Sequence, residues 1–142
     1  GGAFITSLSK ETSERLVKVM PQGAPPIGNP LDVIGAGWVR PKLYVDVLDI
    51  VAGDDNVDII LVIYTTPSES FVQVPWREIT EKCRFHGKTL FVCLAHPISK
   101  PQAERSELEE GGVPVYPTPE RAAKTIINVL KTMNLIKSPS GL

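Results

Sequence analysis

Two stretches of the chain are almost continuously apolar. Val57 to Tyr64 (VDIILVIY) and Lys88 to Ala95 (KTLFVCLA) show no alternation of inward and outward positions, as expected for parallel strands covered on both faces. The segments around them follow a helical period instead. Pro41 to Ala52 puts Leu43, Val47, Ile50 and Val51 on one face, and Pro75 to Phe85 lies between the two strands as a crossover helix. Pro101 to Glu110 reads as a further helix, ended by Gly111-Gly112 where a left-handed cap residue fits. Pro119 to Met133 carries Ala122, Ile126, Val129, Leu130 and Met133 as one stripe. Thr118 can cap that helix, Pro119 suits its first turn, and Glu120 faces the positive end of its dipole.

Toward the N-terminus, Ala3 to Thr6 reads as a short strand and Ser9 to Met20 as a helix, with Ser9 the cap and Leu16, Val19 and Met20 inward. Val113 to Tyr116 is another short strand. Pro114 cannot donate to a ladder, which places this strand at a sheet edge. Between Met20 and Val39 there is no periodicity, and so long a connection is either functional or packed on a neighbour.

The resulting order is β-α-loop-α-β-α-β-α-β-α, a three-layer α/β domain with a parallel sheet and right-handed crossovers. In a flavodoxin-like sheet the first strand is central and apolar. Ala3 to Thr6 is too short for that place. It is therefore expected to be an edge strand, with the central strand and one helix lying ahead of Gly1 or coming from another chain. A gap or a partner strand is then expected between Ala3 to Thr6 and Val57 to Tyr64. Residues 1–137 form the domain and 138–142 a C-terminal linker.

Composition narrows the functions. The chain has 142 residues, with 15 Lys plus Arg against 16 Asp plus Glu and a net charge of -1, so it lacks the basic surface that holds nucleic acid. No apolar run reaches the roughly 18 residues of a membrane span, and the N-terminus lacks the order of a secretory signal. The cytoplasm is the expected compartment. Cys83 and Cys93 each sit in an apolar segment and read as buried free thiols.

Two turn regions could carry chemistry, because open α/β sheets bind ligands beyond the carboxyl ends of their strands. Thr65 to Phe71 follows the first long strand. Its hydroxyls, with the free N–H groups of the next helix, could hold a phosphate, against which Glu69 would work; the alternative is an ordinary capping loop. The second region is Gly28 to Gly37, where Asn29 precedes Pro30 and three glycines allow close backbone approach; it has neither the GxGxxG spacing nor a Walker lysine. His96 follows a strand end but has no Cys, Asp or Glu at a partner spacing, and His86 reads as a favourable charge at a helix C-terminus. Trp38 and Trp76 adjoin these loops and fit ligand stacking, an interface or core packing. Glu104, Glu107, Glu109 and Glu110 form a solvated acidic face, and there is no metal-ligand spacing and no G-x-S-x-G elbow.

The order of motifs resembles the NDP-forming acyl-CoA synthetases, the superfamily of succinyl-CoA synthetase and ADP-forming acetate-CoA ligase. The matching stretches are Leu8 to Pro21, Gly28 to Gly37 (GNPLDVIGAG), Leu48 to Pro67 and Gly111 to Leu130. The resemblance implies the last flavodoxin-like domain of the CoA-binding part. Its expected role is to supply a helix N-terminus that stabilises a phosphohistidine carried by a preceding domain. By position that helix is Pro75 to Phe85, with Thr65, Thr66, Ser68 and Ser70 as phosphate-site support and Asn29, Asp32, Gly35 and Gly37 as a cleft loop. No catalytic residue, metal or cofactor is then expected within this domain alone; CoA, ATP or ADP and Mg would bind the complete, oligomeric enzyme. The implied partners are the CoA-binding and phosphohistidine domains and an ATP-grasp domain or subunit. Two other readings stand beside it: a synthetase-like regulatory module of a protein lysine acetyltransferase, and a non-catalytic interaction domain.

Overall fold

The computed structural model describes residues 3–65, 73–95 and 102–133. In chain order the elements are α1 (Lys10–Val19), α2 (Ala36–Val39), α3 (Lys42–Ala52), β1 (Ile59–Tyr64), α4 (Trp76–Phe85), β2 (Thr89–Leu94), α5 (Gln102–Glu110), β3 (Val115–Tyr116) and α6 (Pro119–Thr132). The strands form one parallel sheet in the order β1-β2-β3. Ile59 pairs with Thr89 and Tyr64 with Leu94, and Val92 pairs with Val115. This is the α/β, flavodoxin-like layering expected from the sequence, with few strands.

Sequence chemistry explains where the helices start and stop. The Ser9 hydroxyl accepts the Thr12 N–H at the head of α1, and the Thr118 hydroxyl accepts the Arg121 N–H at the head of α6, with Pro119 in the first turn. After α5, Gly112 takes a φ of 72°, a left-handed conformation that glycine adopts without strain, and the Val113 N–H returns to the Leu108 carbonyl. The Arg84 guanidinium also donates to the Gly111 carbonyl and ties this cap to α4.

One face of the sheet carries the main core. Ile60, Val62 and Tyr64 of β1 and Leu90, Val92 and Leu94 of β2 pack with Val45 and Leu48 of α3, Trp76 and Ile79 of α4 and Leu108 of α5. Complete burial of each such aliphatic side chain contributes about 1.5–3 kcal/mol. α3 is buried on two sides, because Leu43, Val47 and Ile50 turn away from the sheet to meet Leu16 of α1. Across the seam between α3 and α4, Lys42 bridges Asp46 and Glu78, while Asp49 meets Lys82 and His86. α6 lies against β2 and β3 on the opposite face, where Phe91 stacks on Tyr116.

Two sequence expectations change. Ala3 to Thr6 is irregular, not a strand: Phe4 and Ile5 are 93% and 75% exposed, and an extended segment becomes a strand only where a neighbour completes its ladder. Among the described residues the edge of the sheet opposite β3 is therefore β1 itself, while β3 occupies the edge predicted from Pro114. Second, the stretch Met20 to Val39 contains the short helix α2, too brief to show a period. The helix α6 forms as expected, with its apolar stripe only partly covered: Ala122 is buried, and Met133 is 61% exposed.

Candidate functional site

The carboxyl ends of β1 and β2 meet the glycine-containing loop at Thr65. The Thr65 hydroxyl donates to the Ala95 carbonyl at 3.0 Å, joining the two strand ends. The Trp38 indole N–H donates to the Thr65 carbonyl at 2.8 Å, so the loop and α2 fold onto the same point. With its proton committed to Ala95, the Thr65 hydroxyl faces any phosphate as an acceptor, not a donor. Thr66, Ser68 and Ser70, like His96, lie outside the described residues.

The cleft loop is held by its own polar residues. The Asn29 side-chain amide donates to the Thr6 carbonyl at 2.9 Å, and the bond between Asn29 and Pro30 is cis. The Asp32 carboxylate accepts the Ile34 N–H at 2.8 Å, an Asx turn that holds Ile34 at a φ of 50°. Gly37 sits directly on the Tyr44 ring. A β-carbon there would lie 2.4 Å from a ring carbon, and the ring cannot retreat, because it is buried against Tyr64 with centroids 5.6 Å apart. Gly37→Ala is therefore expected to destabilise by about 1–3 kcal/mol through overpacking, read as a lower urea midpoint; an unchanged midpoint would mean that the aromatic contact yields. Burial first, then the nearby Tyr64 and the Asp32 charge, push the Tyr44 phenol up to about 12. It stays a neutral hydroxyl throughout the physiological range.

The start of α4 is already occupied by a carboxylate. Pro75 supplies no side-chain cap, and the Arg77 N–H donates to the Glu107 side chain of α5 at 3.1 Å. Glu78 adds a second acid in the first turn. Acids at a helix start complement its dipole, and here they stand where an incoming phosphate would stand. Glu107 thus has a structural task, as has Glu109, which pairs with Arg105 at 3.1 Å. His86 ends α4 as predicted, with Nε2 3.0 Å from Asp49. Burial raises the Asp49 carboxyl, but hydrogen bonds from His86 and Lys82 outweigh it and hold that group below the ordinary carboxylate range. Trp76 proves to be core. It is fully buried, and its indole N–H has no hydrogen-bond partner among the described residues.

Both cysteines are buried and free. Burial, with the Asp49 charge, pushes the Cys83 thiol up to about 11, and burial raises Cys93. Neither has the depressed pKa of a nucleophile. At the end of β3, a shallow cleft of about 590 Å³ is lined by Arg105, Tyr116, Arg121 and Lys124. Arg105 and Lys124 each already pair with a glutamate of their own helix.

A relative of this arrangement is known from a crystal structure. The chain is similar to PH0766 from Pyrococcus horikoshii OT3, with a TM-score of 0.64 at 25% identity, over 86% of this chain and 28% of that one. It thus spans little more than a quarter of the length of that structure. No protein-family model matches the sequence, and comparison with curated proteins finds no relative. No helix among the described residues is long and apolar enough to cross a membrane.

Sequence reasoning missed a buried polar side chain that fastens two parts of the chain. Asp54 is buried and accepts the Ser9 N–H at 2.7 Å and the Asn56 N–H at 2.9 Å. The local Asp-Asp-Asn turn hints at the second bond, while the first spans 45 positions and leaves no local mark.

Proposed function

We propose that this chain is a domain of a cytoplasmic NDP-forming acyl-CoA synthetase, which interconverts acyl-CoA, NDP and phosphate with acid, CoA and NTP through a phosphohistidine. In this reading the domain forms a wall of the phosphoryl-transfer site and directs the start of α4 toward the phosphorylated histidine of a neighbouring domain. The observation that carries the reading is a convergence. The loop matching GNPLDVIGAG is anchored through Trp38 to Thr65, at the strand end from which the chain runs to α4. Aligned first-turn amides and about half a positive charge favour a phosphoryl group there. CoA, nucleotide and Mg bind elsewhere in the complete protein, beside an ATP-grasp domain or subunit.

Ser68 and Ser70 stand in the sequence between Thr65 and α4 and supply the hydroxyl donors in this scheme. Replacing both by alanine in the complete protein is expected to slow phosphohistidine formation about tenfold, from two hydrogen bonds of about 0.5–1.5 kcal/mol each, while CoA affinity stays nearly unchanged. Equal losses in both measurements, or no effect on phosphorylation, would reduce the loop to a connector.

The Glu107 cap favours a second reading, a non-catalytic interaction domain, because a helix start satisfied by its own carboxylate needs no phosphate. Glu107→Gln separates the two. If α4 serves a phosphoryl group, removing this negative charge speeds phosphohistidine formation; in an interaction domain phosphorylation is indifferent to it.

A further inference from the structure

The cleft at the carboxyl end of β3 differs in charge from the chain as a whole. Over the full sequence 16 acids outweigh 15 Lys plus Arg, yet the described residues that line this cleft include Arg105, Arg121 and Lys124 and no carboxylate. A cleft lined by one sign of charge focuses the field and concentrates counter-ions. The place is also one where open α/β sheets take ligands, beyond the end of a strand.

Folding does not call for these cations. Arg105 lies in the first half of α5 and Arg121 in the first turn of α6, where the helix dipole favours acids and opposes bases. Arg121 has no ion pair among the described residues. Arg105 reaches Glu109 at 3.1 Å through one nitrogen, and Lys124 reaches Glu120 at 2.7 Å. Both are solvent-exposed contacts within one helix, a kind that holds weakly, and a guanidinium with five N–H donors keeps most of them for another acceptor.

Beside the cations the wall is apolar. Val115 and Pro117 line it with Tyr116, whose ring is fixed by stacking on the buried Phe91 with centroids 6.2 Å apart. The volume of about 590 Å³ far exceeds that of a phosphate ion and falls within the roughly 300–1,000 Å³ of small-molecule sites.

We propose that this cleft binds a phosphomonoester, with its phosphoryl group between Arg105, Arg121 and Lys124 and its organic part against Tyr116 and Pro117. Three cations match a dianion, where a single carboxylate would leave charge over, and the planar arginine fork fits phosphate oxygens two at a time. None of the described lining residues belongs to α4, so the site is separate from the phosphoryl-transfer reading and stands without it.

The test is acetylation of the complete protein by acetic anhydride, followed at single lysines by mass spectrometry, with phenyl phosphate as the probe. Phenyl phosphate at about 1 mM is expected to slow modification of Lys124 about fivefold or more. Lys10 pairs with Glu14 at the same i,i+4 spacing but does not line the cleft, and its modification should change less than about twofold. Arg121→Gln, at an exposed position, should abolish the protection and leave the urea midpoint unchanged. Inorganic phosphate should need about tenfold more for the same effect, because it leaves the apolar wall unused. Equal protection at Lys10, protection that survives Arg121→Gln, or none below about 10 mM would overturn the proposal. Inorganic phosphate acting at the same concentration as phenyl phosphate would overturn the place given to the organic part.

Discussion

Replacing Trp76 by alanine is expected to cost about 3–5 kcal/mol of stability, a large share of the roughly 5–15 kcal/mol that holds a domain of this kind folded. Trp76 is the largest of the fully buried side chains and opens α4 against the sheet. Its ring meets Tyr64 edge-on with centroids 5.6 Å apart, and Tyr64 meets Tyr44 in the same way, so one row of aromatic rings joins α4, β1 and α3. Alanine would leave a cavity where this row joins the three elements. Trp76→Phe gives the contrasting result. It removes volume but also the buried indole N–H that has no partner among the described residues, and such a group costs about 1–3 kcal/mol when desolvated. The two effects oppose each other, so phenylalanine should lose only about 1 kcal/mol. Chemical denaturation with tyrosine fluorescence reads both variants. A small loss for alanine would mean that the three elements are held by something other than this row.

How much of the architecture could be read from the chain depended on the range of the forces involved. The caps of α1 and α6 come from Ser9 and Thr118 acting three residues away, and the stop after α5 comes from a glycine beside it, so these boundaries were visible within a residue or two. β1 and β2 were equally plain, because burial on both faces leaves uninterrupted apolar runs. Ala3 to Thr6 misled for the opposite reason. Its residues suit a strand, but a strand is a relation between two segments, and Phe4 and Ile5 pair with no strand among the described residues. The stripe of α6 was real, whereas its covering was not something its own residues could specify.

The candidate site was only half visible for a similar reason. Gly28 to Gly37 announced a loop with special backbone needs, and Asp32 and Gly37 meet two of them. What the loop touches is set by Trp38 reaching Thr65 across 27 positions, and no local pattern encodes that. Glu107 at the start of α4 is the sharper case. In sequence it belongs to a solvated acidic face, and only the packing of α5 beside α4 turns it into a cap.

Asp54 unites these arguments, and its removal should rank beside that of Trp76. Each of its oxygens accepts one backbone N–H, Oδ2 from Ser9 and Oδ1 from Asn56, so one carboxylate fastens the head of α1 to the turn that feeds β1. Charge-assisted hydrogen bonds contribute about 1.5–3 kcal/mol each, and Asp54→Ala is expected to destabilise by about 3 kcal/mol with both donors stranded. Asp54→Asn keeps the shape but offers one oxygen and one NH₂ group, so one N–H would face another donor; about half the loss should remain. The dependence on pH distinguishes this account from lost packing. Burial raises the Asp54 carboxyl, but the Ser9 and Asn56 N–H groups, joined by the Thr12 and Ser9 side chains, outweigh it and hold the group below its ordinary value. A carboxyl depressed in the folded state contributes its stability in full above the unfolded pKa of about 3.9 and loses it as pH falls through the folded value. The gap between native protein and Asp54→Asn should therefore be constant from about pH 5 to 7 and close below about pH 4. Urea midpoints across that range would measure it. A gap that persists unchanged into strong acid would show that the carboxylate's charge has no part in holding α1 in place.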